Sequence, residues 1–309
     1  MHFGDKEAYA GGREVKVSVT NLTKCYDDLL VLDDINFDIY KGEMLCIVGP
    51  TGCGKTTLIN LLMRFYDIND GQITVDDHDI RHITRKSLRG AYSMVLQDTW
   101  LFSGTIYENI AYARPDATML EVIAAAKLAN AHEFIRHLEH GYDTVLSGDG
   151  SALSQGQRQL ISIARAAVAD PPVMILDEAT AGLDPVVRGE LLDLLLDFIQ
   201  DEQHSVLMSS HITSDLEQVA DAIAYLHHGQ LLFCENKDDL LQEYGLLRCA
   251  ETDLARLPEG CAVYTRRGAF GCETLVKDRN AAHTALPDAV CDSASIDDIM
   301  RFYSGRDAQ

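Results

Sequence analysis

The chain has 309 residues, 47% of them hydrophobic and 24% charged, which is the composition of a globular protein of roughly two domains and not of a disordered or fibrous chain. Its 26 basic residues against 48 acidic ones give a formal net charge of −22. Nucleic acids and anionic lipid surfaces attract clusters of Lys and Arg, so this balance argues against either as the main partner. The acidic excess is larger per residue after residue 180 than before it.

The apolar runs of the chain are short. The most apolar one, Leu191–Ile199, is interrupted by Asp193 and Asp197, whereas a membrane-spanning helix needs about 20 apolar residues. The first residues, MHFGDKEAYAGG, lack the apolar core of a secretory signal, which predicts a cytoplasmic location. The 8 cysteines include no CxxC pair, which favours reduced thiols over a zinc site or a disulfide framework.

The first two predicted elements are strands that pair antiparallel, VKVSVTNLTK and VLDDINFDIY. Met44–Val48 follows as a continuous apolar run, typical of a strand that is buried on both faces. A glycine-rich turn then leads directly into a predicted helix, Lys55–Tyr66, whose apolar residues form a broad stripe.

Two further buried strands are predicted at Val173–Asp177 and Ser205–Ser210. Between them, Asp184-Pro185 supplies an N-cap and an N1 proline, which predict a helix that runs to about Asp201. The pattern Ser214-Asp-Leu-Glu217 is a capping box that opens another helix. Its inward residues are predicted to be Leu216, Val219, Ala220 and Ile223, and the hairpin AIAYL-HHGQ-LLFC completes the core.

Strands that alternate with helices predict a mostly parallel α/β sheet. The stretch from about residue 98 to residue 169 is predicted to be an inserted helical subdomain, because its pattern is helical and it separates two buried strands. We predict one domain at residues 1–246 and a small α+β appendage at 247–309. The appendage is predicted to contain strands at Cys261–Tyr264 and Thr274–Val276 and a helix near Ile296–Phe302, with Asp292, Asp297 and Asp298 near the helix start. Carboxylates at that position favour the helix dipole, so the appendage is interpreted as a stabilising cap and not as a regulatory element.

The segment GPTGCGKTT fits G-x-x-x-x-G-K-[ST], the pattern of a loop that cradles phosphate groups. Its glycines let backbone N–H groups surround the β-phosphate, Lys55 supplies a cation, and Thr56 offers a hydroxyl to Mg²⁺. The context of a buried strand before the loop and a helix after it supports the assignment. Cys53 is either a reactive thiol of low pKa or an ordinary small residue, and its size favours the second interpretation. The candidate nucleotide-binding residues of this loop are Gly49, Pro50, Thr51, Gly52, Cys53, Gly54, Lys55, Thr56 and Thr57.

Two adjacent carboxylates end the strand at Val173–Asp177. An acidic residue at such a strand end can hold the water shell of Mg²⁺, and the next carboxylate can face an attacking water. Asp177 and Glu178 are therefore candidates for these two functions, while the alternative is that Glu178 only solvates the strand end.

With these motifs in place, Leu153-Ser-Gln-Gly-Gln157 followed by RQLISIARA resembles the signature motif of the ATP-binding cassette (ABC) ATPases, although Gln155 stands where a second glycine is usual. The resemblance covers about residues 15–246 and implies an α/β P-loop NTPase fold with a RecA-like core, an antiparallel β subdomain and an inserted α-helical subdomain. It also implies that Ser154 and Gly156, with the adjacent Gln157, contact the γ-phosphate of an ATP held by a second cassette.

Other positions match the family in order. The resemblance implies that Tyr26 stacks on adenine and that Asp184 belongs to a loop crossing the dimer interface. It implies catalytic functions for Glu178, His211 and Gln97, with Gln97 also joining Thr56 and Asp177 around Mg²⁺.

The two parts of the chain resemble different branches of this family. Residues up to about 180 resemble nucleotide-binding domains fused to multidrug and lipid exporters, whereas the part from AGLDPVVR onward resembles free-standing ATPase subunits of two-component exporters. One hypothesis is a hybrid joined near Ile175–Thr180, and the other is a native lineage with mixed features. Met1 falls where a linker from a membrane domain would lie in a fused exporter, so the chain is expected to begin inside a longer parent.

The resemblance implies an ATP- and Mg²⁺-dependent ATPase that pairs head to tail with a second nucleotide-binding domain, identical or different. Transmembrane permease subunits are expected to dock near Gln97–Tyr107 and around Ser147–Gly150, which would hold the chain at the cytoplasmic face of the cell membrane and drive export. The alternative is a soluble, non-transport ABC ATPase with a mechanical or regulatory function, which the single cassette and the charge of −22 disfavour. A domain that binds ATP without hydrolysis is disfavoured by the presence of Glu178 and His211.

Overall fold

The computed structural model describes residues 13–147, 150, 152–268 and 271–305. The strands are β1 (Val15–Tyr26), β2 (Leu29–Tyr40), β3 (Met44–Val48), β4 (Asp70–Val75), β5 (His78–Asp79), β6 (Tyr92–Leu96), β7 (Gly104–Thr105), β8 (Val145–Leu146), β9 (Val173–Asp177), β10 (Ser205–Ser210), β11 (Ala222–His227), β12 (Gln230–Asn236), β13 (Tyr244–Cys249), β14 (Ala262–Gly268), β15 (Gly271–Lys277) and β16 (Val290–Ser293). The helices are α1 (Lys55–Leu62), α2 (Arg85–Gly90), α3 (Ile106–Ala111), α4 (Met119–Leu128), α5 (His132–Arg136), α6 (Gln155–Val168), α7 (Pro185–Ile199), α8 (Thr213–Val219), α9 (Lys237–Glu243), α10 (Arg279–Ala285) and α11 (Ile296–Ser304).

A six-stranded sheet forms the centre of the larger of two compact units, which ends at Phe233. Its strand order is β12-β11-β3-β10-β9-β6, and β11, β3, β10, β9 and β6 pair parallel. Every residue of β3, β9 and β10 is buried, as predicted for these three strands. Parallel strands direct their carboxyl ends to one edge of a sheet, so the residues that follow β3, β9 and β10 meet there.

A second sheet, of order β2-β1-β4-β5, is antiparallel and lies in the same unit. The predicted pairing of the first two strands is confirmed, with Val19 opposite Phe37. Helices α3, α4, α5 and α6 lie between β6 and β9 in the chain, together with the short β7-β8 ladder. This insertion falls within the predicted helical stretch. Among the described residues, no helix is both long enough and apolar enough to cross a bilayer.

Two helices end earlier than predicted. Helix α1 ends at Leu62 and not at Tyr66, because Arg64 takes a left-handed φ of 51° and its Nη1 donates to the Ile80 carbonyl 2.7 Å away. Helix α7 ends at Ile199, two residues before the predicted end.

The predicted capping box of α8 is wrong. The helix begins at Thr213 after Ile212, whose apolar side chain cannot cap it, and the Ile212 amide donates to the Ser210 hydroxyl at 3.1 Å. The predicted inward residues Leu216, Val219 and Ala220 are buried, but Ile223 belongs to β11 and not to this helix.

The smaller unit begins at Cys234 and contains an antiparallel sheet of order β14-β15-β13-β16 with three helices. The predicted domain boundary lies later, at 246/247, because the sequence gives no sign that β13 pairs with β15. Helix α11 is capped by a Ser295–Asp298 capping box, whereas Asp292 lies in β16 and forms an ion pair with Arg248 at 2.9 Å. The core of this unit is made by Leu247, Cys261, Val276, Ala282 and Leu286.

One buried carboxyl predicts a pH dependence of stability. Glu43 is 0% exposed and accepts a hydrogen bond of 2.8 Å from the Tyr40 amide. Burial, with a smaller contribution from Asp221, raises the pKa of Glu43 to about 8, while the Tyr40 amide opposes this shift. Because the folded pKa lies above the unfolded value, the stabilising contribution is complete below the unfolded pKa and is lost as the pH rises through about 8.

The variant Glu43→Gln keeps the acceptor and cannot ionise. Relative to the parent, it is expected to gain stability between pH 5 and pH 8 by about 1.4 kcal/mol per pH unit at most. Urea unfolding at pH 5 and pH 9 measures this change, with the exposed Glu202→Gln as the matched control. A stability difference between Glu43→Gln and the parent that is the same at both pH values would contradict this origin.

Candidate functional site

A cavity of about 380 Å³ opens at the carboxyl edge of the central sheet. It brings together parts of the chain that are far apart in sequence: the glycine-rich loop, the end of β6, the end of β9 and the end of β10. It is lined by Val31, Thr51, Gly52, Gly54, Lys55, Thr56, Thr57, Gln97, Glu178 and His211. Of these, Val31 was not a candidate from the sequence.

The glycine-rich loop connects β3 to α1, as the motif requires. Gly54 has a φ of 111°, and a Cβ atom there would lie 2.7 Å from the Leu32 Cδ2 atom, so glycine is needed at this position. The Lys55 Nζ atom donates to the Gly49 carbonyl oxygen at 2.6 Å, which places the cation inside the loop. The backbone amides at the start of α1 and this cation make the loop a site for anions.

The structure supports the ordinary interpretation of Cys53. Its side chain is 4% exposed, and burial raises the pKa of the thiol although Lys55 lowers it. A buried thiol of raised pKa is a weak nucleophile, so Cys53 acts as a small packing residue. Each of the eight cysteines, all of them within the described residues, is a free thiol.

The two carboxylates after β9 are held in different ways. Asp177 is 6% exposed and accepts a hydrogen bond of 2.6 Å from the Ser209 hydroxyl. Glu178 takes a left-handed φ of 52°, and its amide donates to the Ser209 carbonyl at 3.1 Å. Such a backbone conformation is costly for a residue with a side chain, and Ser209 stabilises it. Ser209 was not identified from the sequence, although it directly precedes the Ser210-His211 pair.

The Glu178 carboxylate lies between two candidate site residues. One of its oxygens is 2.5 Å from the His211 Nδ1 atom, and the other is 3.4 Å from the Lys55 Nζ atom. The Glu178 side chain is 18% exposed and that of His211 is 59% exposed, so both reach the cavity. A carboxylate that is partly exposed and fixed by two neighbours can orient a water and accept its proton.

Gln97 follows β6 and lines the same cavity. Its position is supported by Gln159 of α6, which is 2% exposed and donates to the Leu96 carbonyl at 3.2 Å. Gln159 also accepts a hydrogen bond from the Thr99 hydroxyl. The signature helix is therefore tied to the segment that carries Gln97, and sequence analysis did not identify Gln159 as the residue that makes this connection.

The signature segment begins helix α6 and does not line the cavity. Ser154 is its N-cap, and Ser154 and Gln157 form a reciprocal capping box. A Cβ atom on Gly156 would lie 3.5 Å from Val187, and one on Gly182 would lie 3.2 Å from the Gln155 amide group. The start of α6 therefore lies next to the loop before α7 and to the first turn of α7.

Asp184 and Tyr26 also lie outside the residues that line the cavity. Asp184 is the N-cap of α7, where its carboxylate accepts from the Val186 amide at 3.0 Å, so this sequence prediction is confirmed. Tyr26 is 37% exposed and meets Tyr66 edge to face, with 5.7 Å between the ring centroids. An exposed aromatic face of this kind can stack on a planar base.

An exposed aromatic surface lies on the helical insertion. Trp100 and Tyr112 are each 67% exposed, and Phe102 lies between them, with 4.9 Å between the Phe102 and Tyr112 rings. The Arg165 guanidinium lies 5.4 Å from the centre of the Phe102 ring. The second predicted docking segment, 147–150, is described only at its ends, and residues 148 and 149 lie outside the described residues.

Residues 32–181 match a family model described as ABC transporter. The chain is 48% identical over 214 residues to an uncharacterized ABC transporter ATP-binding protein of Bacillus subtilis, with 69% of this chain and 35% of the relative covered. It is 44% identical over 217 residues to a fatty acid ABC transporter ATP-binding/permease protein of Mycobacterium tuberculosis, covering 70% of this chain and 34% of the relative. It is 43% identical over 217 residues to an ATP-dependent lipid A-core flippase of Syntrophus aciditrophicus, covering 70% and 36% respectively.

Among solved structures, a bacterial Atm1-family ABC exporter with ATP bound superimposes with a TM-score of 0.70 and 38% identity, covering 74% of this chain and 40% of the exporter chain. The chain thus spans little more than a third of the length of these relatives. A continuous match of 217 residues in a chain of 309 includes residues 175–180 wherever it starts. Similarity to the Mycobacterium tuberculosis ATP-binding/permease protein therefore continues through the position of the hypothesised join. The hybrid origin stays a hypothesis.

Proposed function

Because residues 32–181 of this chain are an ATP-binding domain of the ABC transporter family, we propose that the chain is the ATP-hydrolysing subunit of an ABC exporter. The observation that carries the proposal is the single cavity that joins the phosphate loop to Gln97, Glu178 and His211. Phosphate release from ATP by the purified chain, compared between the parent and the variant Glu178→Gln, tests it. Several relatives have names that describe transporters, which favours this function over a soluble mechanical or regulatory ATPase.

The proposed site fits both ATP and Mg²⁺. The loop amides and Lys55 suit the phosphates, and Tyr26 with Tyr66 suits the base. The described residues contain no group of three or more His, Cys, Asp or Glu side chains arranged to hold a metal. Mg²⁺ in nucleotide sites is typically bound through one or two carboxylates and the phosphates of the substrate, and Asp177, Thr56 and Gln97 would hold it here. When bound, Mg²⁺ neutralises charge on the phosphates.

Glu178 is the proposed base for hydrolysis. Its carboxylate accepts a proton from the attacking water, and His211, 2.5 Å away, holds the carboxylate in place and contacts the γ-phosphate. Lys55 lies 3.4 Å from Glu178 and donates to the Gly49 carbonyl, so it must turn from these partners to the β- and γ-phosphates. Glu178 therefore no longer has the Lys55 cation beside it once Lys55 binds the phosphates.

Two cassettes complete the proposed site. Ser154 and Gly156 lie at the N-terminus of α6, which has 14 residues and directs backbone N–H groups outward, yet this terminus does not line its own chain's cavity. A second cassette, facing the first head to tail, supplies these groups to the γ-phosphate, with Gln157 beside them and Asp184 in the interface. The second cassette is either a copy of this chain or a related domain.

The aromatic surface around Trp100 is the proposed docking site for a transmembrane permease subunit. Next to it lies a groove of about 390 Å³, which is lined by Tyr92, Met94, Tyr112, Arg114 and Arg165. The proposed occupant is a cytoplasmic segment of a permease, because a relative of which this chain matches 34% is named an ATP-binding/permease protein. Docking there would hold the chain at the cytoplasmic face of the membrane. The substrates in the names of the relatives differ, and none is proposed for this chain.

If the chain docks on a permease, it is expected to be recovered with the membrane fraction. In cells of its source, the tagged parent chain is expected in the membrane fraction, and Tyr112→Glu is expected to shift most of it to the soluble fraction, because a carboxylate is buried poorly among aromatic rings. The matched control is Leu120→Glu, at a residue that is 79% exposed on α4 and outside the groove. Equal membrane recovery of the parent and both variants would contradict docking at this surface.

A further inference from the structure

Asp215 is a buried carboxylate near the proposed catalytic site that has no assigned function. It lies in α8, four residues after His211, and is 2% exposed. Burial raises the pKa of the Asp215 carboxyl group. Within the described part of the chain, its Oδ2 atom has no hydrogen-bond partner.

Two other buried polar groups beside Asp215 are also incompletely paired. Within the described residues, neither the Thr180 hydroxyl nor the Arg188 Nε atom has a hydrogen-bond partner. Thr180, then Arg188, then His211 lower the pKa of Asp215, so all three lie close enough to act on its charge. The Thr180 hydroxyl lowers the pKa of Asp215 although, within the described residues, it does not reach hydrogen-bond geometry. Buried polar groups are nearly always paired, and three incomplete ones in one place call for an explanation.

The three groups belong to segments that carry the proposed catalytic residues. Thr180 follows Glu178 by two residues and is 0% exposed. Arg188 lies in the first turn of α7, which packs against α8, and its Nη2 atom donates to the Leu183 carbonyl at 3.2 Å. The cluster therefore connects the loop after Glu178 with the segment that begins at His211.

We propose that Asp215 is a positioning residue for ATP hydrolysis: in the closed pair of cassettes its carboxylate pairs with Arg188 and accepts a hydrogen bond from Thr180, and so fixes the loop 178–184 relative to His211. A small shift of this loop gives hydrogen-bond partners to the Asp215 Oδ2 atom, the Thr180 hydroxyl and the Arg188 Nε atom at the same time. The same loop contacts the signature segment through Gly182 and Gln155, so its position matters to both halves of the site. This inference rests on the proposed ATPase function.

The variant Asp215→Asn has nearly the same shape, but it removes the charge and replaces one acceptor oxygen with an amide donor. It is expected to lower kcat for ATP hydrolysis about tenfold and to leave the KM for ATP and the stoichiometry of ATP binding unchanged, because the loop is misplaced while the phosphate loop is intact. The matched control, Glu217→Gln, removes an exposed carboxylate from the same helix and is expected to keep the parental kcat. If Asp215 only favours the dipole of α8, Asp215→Asn changes the melting temperature without changing kcat per bound ATP, and the proposal is overturned.

A double variant tests the pairing with Arg188. Arg188→Met alone is expected to lower kcat by a similar factor, and Asp215→Asn with Arg188→Met is expected to be no slower than the slower single variant, since both remove one interaction. Reductions in kcat that multiply in the double variant would overturn the pairing. Failure of the ATPase function itself is distinguishable, because the parent would then release no phosphate, whereas failure of this inference leaves the parent active and Asp215→Asn equally active.

Discussion

The variant Glu178→Gln is expected to bind ATP and Mg²⁺ like the parent and to hydrolyse ATP at least about 100-fold more slowly. Glutamine preserves the shape of the side chain, and its amide can still contact His211, but it cannot accept a proton from water. The loss of hydrolysis rate therefore measures the contribution of the base and not a change in the fold. Because the proposed second cassette closes on unhydrolysed ATP, the variant is also expected to accumulate as an ATP-bound dimer.

Phosphate release and light scattering measure these two effects on the same sample. Removal of Mg²⁺ with EDTA is expected to stop hydrolysis by the parent, since Asp177 and Thr56 are proposed to act through the cation. The matched control is Glu190→Gln, which removes a carboxylate from α7 outside the cavity. Hydrolysis by Glu178→Gln at the parental rate would show that another group is the base.

Two other substitutions are expected to abolish hydrolysis for different reasons. Lys55→Met removes the cation of the phosphate loop and should lower the affinity for ATP. Gly156→Asp places a carboxylate in the first turn of α6, where it suits the helix dipole but repels a γ-phosphate from the facing cassette. A Cβ atom at residue 156 meets Val187 only at 3.5 Å, so this chain is expected to fold and to keep its own phosphate loop. The matched control is Gly189→Asp on α7, where a Cβ atom has no neighbour within 4 Å, and it should stay active.

The parts of the fold that sequence predicts best are those whose signal is local. The boundaries of β3, β9 and β10 agree with the predicted ones, because each strand contains a short run of three to five consecutive apolar residues that is buried on both faces. The end of α1 was mispredicted because a contact from elsewhere in the fold accompanies it: carbonyls of the segment 80–83 accept hydrogen bonds from the Arg64 guanidinium. The start of α8 was mispredicted although its contacts are local, because the helix begins one residue before the expected cap and the Ser210 hydroxyl accepts from the Ile212 amide.

The same distinction holds in the candidate site. The phosphate loop, Asp177 and Glu178 follow from motifs, and the cavity brings Glu178 to Lys55, Gln97 and His211. Ser209 supports Asp177 only because β10 pairs with β9 in a register that places these two residues opposite each other. Gln159 connects α6 with the end of β6, and the groups around Asp215 come from α7 and the loop after Glu178, so no spacing along the chain indicates either residue.

Hydrolysis of ATP is proposed to take place between the phosphate loop of one cassette and the signature segment of another. Mixing the Lys55→Met chain with the Gly156→Asp chain tests this arrangement, because a mixed dimer regains one site that has both an intact phosphate loop and an intact signature. The two inactive samples are expected to give, on mixing, about a quarter of the parental rate of phosphate release for random pairing. A mixture that stays as inactive as its two components would contradict a site shared between two cassettes.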